Sequence, residues 1–250
     1  MNDWFAIGER PRSLRDLAFP RPLTILVLAP HPDDFDAIAL SLHHLHGQGH
    51  ALHVAVLTTG ASGVDDGFEG AGNDAAKAAL REEEQRASCD FFGLGSQRLD
   101  FLRLWKHGPD ADEDLERLQA WIAARPGDLV FMPHGNDSNR THRRTFEAVR
   151  EAATRIGLNA WACLNQDAKT LDMRVDLYFE FDDAQAQWKA QLLRLHRSQQ
   201  ARNLRTRGIG FDARVLQVNR QAAQALGATL PYAETFELMR RGHAADGATR

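Results

Sequence analysis

Leu23–Leu40 reads LTILVLAPHPDDFDAIAL, an apolar run that breaks off in His31-Pro32-Asp33-Asp34 before apolar spacing resumes. Leu23–Ala29 is short, apolar and partly β-branched, the pattern of a strand buried on both faces. Asp36 to about Gln48 then reads as a helix stopped by Gly47 and Gly49. One imidazole and two carboxylates therefore stand at the mouth of a buried strand. An open α/β sheet places its ligands there, beyond the carboxyl ends of its strands. So many acidic groups at such a point call for a cation or for proton transfer.

Working outward, Ala51–Leu57 reads as a second buried strand, followed by TTGASG at Thr58–Gly63 and a Gly- and Asp-rich loop at Val64–Asp74. A helix is expected from about Ala75 to Phe92, a short strand at Arg98–Leu102, and a helix at Leu115–Ala124 that stops before Pro126. Asp128–Met132 is another apolar strand ending in a polar burst, PHGNDSNRTH, and Thr141 to about Ile156 reads as the helix after it. Met173–Phe181 alternates as a strand, and Ala184–Gln200 carries Trp188, Leu192 and Leu195 at helical spacing. Strands alternating with helices imply βαβ units, hence an α/β fold with a mainly parallel sheet and helices on both faces. The less regular later third is expected to add an antiparallel edge.

Composition narrows the function classes. Hydrophobic content of 43% and charged content of 26% are ordinary for a globular chain of 250 residues, and the length suits one large domain. A net charge of −4 argues against nucleic acid as a partner. Cys89 and Cys163 are the two cysteines and form no CxxC pattern, which suggests neither a disulfide scaffold nor a cysteine zinc site and fits a cytoplasmic setting. The first residues, MNDWFAIGERPRSLRDLAF, lack the apolar core of a signal peptide, and no run approaches a membrane span.

His31 and Asp34, three apart at a strand-to-helix turn, can point into one crevice, and their nitrogen and oxygen donors suit zinc. A catalytic zinc takes three protein ligands and keeps an open position. His134 and His142, both in the burst after Asp128–Met132, are the candidates for the third. Asp33 is then free to accept a proton from water. The competing reading makes Asp33 and Asp34 a simple helix N-cap and dipole partner. His43, His44 and His46 lack a carboxylate partner and read as solvated. TTGASG lacks both the Walker lysine and the GxGxxG spacing of a nucleotide site.

At this point the residues resemble the PIG-L/LmbE-like zinc-dependent N-deacetylases. His31-Pro32-Asp33-Asp34 resembles the family's first motif, TTGASG its second-strand turn, and Arg81-Glu82-Glu83-Glu84 its Arg-x-x-Glu pattern. Pro133–His142 resembles the second metal motif, Lys189 with His196-Arg197-Ser198-Gln199 a late K…HxSQ signature, and Tyr232-Ala233-Glu234-Thr235-Phe236 a closing strand. The similarity runs from about Pro22 to Met239, which implies an N-terminal extension at 1–21, a single domain at 22–240 and a tail at 241–250. It also implies a Rossmann-like three-layer sandwich, zinc (with Fe²⁺ or another divalent metal as alternatives) on His31, Asp34 and His142, and Asp33 as general base. The implied substrate is an N-acetylglucosamine-type sugar or glycoside that loses its acetyl group.

Two departures stand out. Phe35 replaces the Glu that usually follows the Asp pair, so that acid is expected to be missing. Asn139-Arg140-Thr141-His142 stands where many members read His-x-Asp-His, so Asn139 can offer a hydrogen bond to an oxyanion but cannot titrate. Arg81 either holds a polar or anionic part of the substrate or pairs with Glu83 or Glu84. His134 and His196 are further candidates to assist. The rival readings are a zinc-dependent hydratase or lyase on the same scaffold, a non-catalytic metal- and sugar-binding relative, and, least favoured, a nucleotide-binding protein. A homo-oligomer is a possible assembly.

Overall fold

The computed structural model describes residues 5, 11–105 and 111–240. Among them the elements run β1 (Arg12–Ser13), β2 (Thr24–Ala29), α1 (Ala39–Gly47), β3 (Ala51–Val56), α2 (Asp74–Phe92), β4 (Leu99–Phe101), α3 (Ala111–Ala123), β5 (Leu129–Pro133) and α4 (Arg140–Arg155). There follow β6 (Trp161–Asn165), β7 (Leu177–Phe181), α5 (Asp183–Arg194), α6 (Arg197–Arg207), α7 (Phe211–Leu226) and β8 (Tyr232–Arg240). The tail expected at 241–250 lies outside the described residues.

All eight strands share one sheet in the order β1-β7-β8-β6-β5-β2-β3-β4. Every pairing is parallel except those of β8, which runs antiparallel to both β6 and β7. The antiparallel strand is thus interior, which corrects the expected antiparallel edge. Strand periodicity builds the layers. Ile25, Val27 and Ala29 of β2 face one core with Phe35, Leu42, Cys89 and Leu192. Leu26 and Leu28 face the other with Leu118, Ile122, Val149 and Ala152. The result is the Rossmann-like three-layer α/β sandwich. From β2 the chain steps to β3 and β4 on one side, then crosses back to place β5 on the other. The loops after β2 and β5 therefore flank the point where strand order reverses, the position that forms a ligand crevice in such sheets.

Two local expectations change. The single helix Asp36–Gln48 is a 3₁₀ turn over Asp36–Ile38 followed by α1. Ala184–Gln200 is two helices, because His196 leaves helical geometry as its ring is drawn into the interior. Strand β6 and helix α7 carried no expectation. The Val215, Val218, Ala222 and Leu226 spacing of α7, bounded by Gly210 and Gly227, was its available signal.

Candidate active site

His31 stands two residues past the end of β2, and the turn after it folds Asp34 back. The Asp34 carboxylate accepts the His31 backbone N–H at 2.8 Å and lies 3.0 Å from the ring Nδ1. From the far side of the crevice, α4 starts at its N-cap Asn139, whose Oδ1 accepts the Thr141 N–H at 2.9 Å. That start turns His142 inward, with Nε2 3.5 Å from the other Asp34 oxygen. His31, Asp34 and His142 each offer a ligand atom, all within 4.8 Å of one another. Bonds of about 2.0–2.1 Å on a tetrahedral ion separate neighbouring ligands by about 3.4 Å, close to the contacts found here.

His142 supplies the observation that tests the fit. Its Nδ1 is 3.1 Å from Asp137 Oδ2 and 3.4 Å from Asp167 Oδ2, the carboxylate backing that orients a metal-ligating imidazole. Its Nε2 is buried and, beyond the 3.5 Å approach of Asp34, makes no hydrogen bond among the described residues. A buried polar atom left unmatched is costly, and this one points where a cation would sit. Burial works against protonation of His142, but Asp34, Asp137 and Asp167 outweigh it and push its pKa up to about 9. Burial likewise opposes ionisation of Asp34, yet His142 and His31 hold its carboxyl far below the usual range. The ring thus sits in a field shaped for positive charge. His134, the rival third ligand, is not in this group; it faces Glu237 at 3.4 Å.

Asp33 adopts φ 113°, a strained backbone for a residue with a side chain. Two contacts hold it. Gln85 Oε1 accepts its N–H at 2.9 Å, and Arg81 Nη2 donates to its Oδ2 at 2.9 Å and to the Pro32 carbonyl. Arg81 is buried, with Nη1 3.5 Å from Glu84, so the pairing considered for a helix surface is found inside the protein. Gln85 Nε2 in turn donates to Asp36 at 3.0 Å, and Asp36 meets His196 Nε2 at 2.7 Å. Phe35 packs edge-on to Phe92, and the acid expected to be missing behind the Asp pair stands one residue on, as buried Asp36. His196, buried against it, is not among the residues lining the crevice.

Over these groups lies a cavity of about 280 Å³, whose lining includes His31, Asp33, Asp34, Arg81, Asn139 and Gly60. Asn139 spends its Oδ1 on the α4 cap and keeps its amide N–H groups for the cavity. Asp137, Asp167 and Gln85 were not foreseen. Asp137 stood in the quoted polar burst, and the rule that a ligating histidine leans on a carboxylate could have found it.

A family model described as GlcNAc-PI de-N-acetylase (PIG-L) matches residues 26–153. No curated protein matches the sequence. Among solved structures, N,N'-diacetylchitobiose deacetylase from Pyrococcus horikoshii is similar with TM-score 0.69 and 20% identity, over 87% of this chain and 84% of that one. GalB, the 4-carboxy-2-hydroxymuconate hydratase from Pseudomonas putida KT2440, is similar with TM-score 0.68 and 20% identity, over 90% of this chain and 100% of that one. The zinc-inhibited form of a teicoplanin deacetylase is similar with TM-score 0.67 and 16% identity, over 90% and 100%. At such identities the likeness is one of fold.

Proposed function

This chain belongs to the PIG-L family, and from that premise we propose that it is a divalent-metal-dependent deacetylase acting on an N-acetylglucosamine-type sugar or glycoside. The observation that carries the reading is the buried His142 Nε2, without a hydrogen bond among the described residues and facing His31 and Asp34, with Asp33 on the wall of the same cavity. His31, Asp34 and His142 would hold the cation, and their mixed nitrogen and oxygen donors suit zinc or ferrous iron. When bound, such an ion acts as a Lewis acid toward a carbonyl and makes water more acidic, to a pKa of about 7.

The chain's own groups divide the remaining work. Asp33 Oδ takes the proton of the attacking water and returns it to the amide nitrogen as the C–N bond breaks. Arg81 and Gln85 fix the direction from which that carboxylate acts. The Asn139 amide donates to the oxygen that gains negative charge in the transition state, a contact worth about 3–4 kcal/mol where it has been removed from other enzymes. Asp137 holds the His142 ring so that Nε2 faces the crevice. The unit that does this is taken as 22–240.

The reading is tested by acetate release from a panel of N-acetylated sugars and glycosides by the zinc-loaded protein, with unsaturated carboxylic acids followed by absorbance loss as the hydratase arm. Asp33→Asn is expected to lower acetate release by about 10²–10⁴-fold at unchanged metal content. Unchanged turnover would remove Asp33 from the base role, and hydration without acetate release would favour the lyase reading.

A further inference from the structure

Cations at the surface of this protein generally have carboxylates. Arg103 meets Glu82, Arg194 meets Asp212, Arg197 meets Glu69 and Arg205 meets Asp65, all within 2.5–2.9 Å. The wall of the metal cavity departs from this habit. Arg214, from the first turns of α7, and Lys169, from the loop after β6, both line it. Neither side chain makes a hydrogen bond or ion pair among the described residues, although both are half-buried. Arg202, a third cation on the same wall, donates to the Ser62 carbonyl and to no carboxylate among the described residues.

The carboxylates of the cavity are already engaged. Asp33 is bound by Arg81, Asp34 stands with the metal-ligating imidazoles, and Asp167 faces His142. None forms an ion pair with Arg214 or Lys169 among the described residues; Asp167 and Asp33 act on Arg214, and Asp34 on Lys169, only at longer range. Burial, together with the charge of Arg207, lowers the pKa of Arg214 against the pull of Asp167 and Asp33, the electrostatic mark of a cation kept without a counter-ion. A guanidinium and an ammonium converging on one small cavity form a receptor for anionic oxygens, the guanidinium with a planar fork and the ammonium as a point charge.

We propose that Arg214 and Lys169 form an anion subsite beside the metal centre, so that the acylated amine taken by this protein carries a carboxylate or phosphate group. The acylated amine rests on the deacetylase reading; the subsite rests on the unmatched cations. At about 280 Å³ the cavity lies near the lower end of the roughly 300–1,000 Å³ usual for ligand pockets, which suits one compact molecule carrying both the anion and the acylated nitrogen. Arg214 also borders the adjoining wider groove, where an anionic group would mark the exit from the cavity.

The test uses amino sugars that the enzyme does not consume. Glucosamine, glucosamine 6-phosphate and glucosaminuronic acid are titrated calorimetrically into the zinc-loaded full chain, while acetate release is followed from their N-acetyl forms. At least one anionic sugar is expected to bind at least tenfold more tightly than the neutral one, and whichever of the two does so names the anion. Arg214→Gln and Lys169→Gln should each shrink that preference, and together abolish it. Equal binding of all three sugars, no binding of either anionic sugar, or a preference that survives the double substitution overturns the subsite. Acetate release without any anionic preference overturns the subsite alone. Anionic preference through Arg214 without acetate release from any sugar supports the subsite and overturns the deacetylase reading.

Discussion

Asp33 and Gly60 show how tightly single residues are specified around the crevice. Gly60 adopts φ +62°, and a Cβ there would lie 3.1 Å from Pro32 Cδ and 3.2 Å from Arg81 Nε. The small loop at Thr58–Gly63 therefore keeps clear of the guanidinium that aims Asp33, which explains its sequence better than phosphate binding does. Gly60→Ala should cost about 1–2 kcal/mol through the left-handed backbone alone. It should also displace Arg81, so that kcat falls by more than the stability loss explains; urea titration beside steady-state kinetics separates the two. Full activity in a stable Gly60→Ala variant would show that the Arg81–Asp33 contact is not needed.

Between elements, the late sequence motifs brace the site from behind. Lys189 of α5 is fully buried and donates to Glu234 of β8 at 2.6 Å, to Asn219 of α7 at 2.9 Å and to the Ala37 carbonyl at 2.6 Å. Glu234 also accepts the N–H groups of Leu40 and Ser41 at the start of α1, tying α1, α5, α7 and β8 into one joint. Ser198 of α6 does the same for α2 through Glu84. Lys189→Met should destabilise the fold by about 3–5 kcal/mol, because Glu234 would be left as a buried charge without its counter-ion. Adding Glu234→Gln should return part of that loss in denaturant titration. What could be read in advance follows the same divide. His31, Asp34 and His142 were legible because an apolar run ending in polar groups marks a strand mouth whatever lies around it. Asp137, Asp167 and the break at His196 were not, because each depends on a partner brought close only by the folded sheet. The α6 break is drawn by Asp36, distant in sequence, against a local pattern that favours one continuous helix.

The whole molecule leans on carboxylates paired with arginine, and this sets its response to acid. Burial opposes ionisation of Asp128, but bonds from Arg21 and the Thr24 N–H bring its pKa below the model-peptide value of 3.8. Glu82, with Arg103 and Arg86, and Asp212, with Gln200 and Arg194, are likewise lowered against burial. A depressed folded pKa gives stability that is present above the unfolded value and is lost as pH falls through the folded one. Through these carboxylates urea midpoints should drop below about pH 4, on top of a loss that begins below about pH 6.5, where His43, His44, His50 and His53, whose pKa burial lowers, take up protons. Asp128→Asn should be less stable than the parent chain at pH 7 and converge with it at low pH. A constant gap between the two across that range would show that Asp128 stabilises through shape rather than charge.

Strand β8 sets a schedule for synthesis. Its nine residues slot between β6 and β7, so the sheet has a gap across its middle until they leave the ribosome. Until then β6 and β7 each offer an unpaired edge, the surface on which chains join wrongly. The nascent protein therefore has to wait with its candidate metal ligands, all upstream at His31, Asp34 and His142, already made but their scaffold incomplete. A chain ended at Pro231 should accumulate in the insoluble fraction, and β8 supplied as a separate peptide should rescue it during refolding, the sheet closing from two pieces.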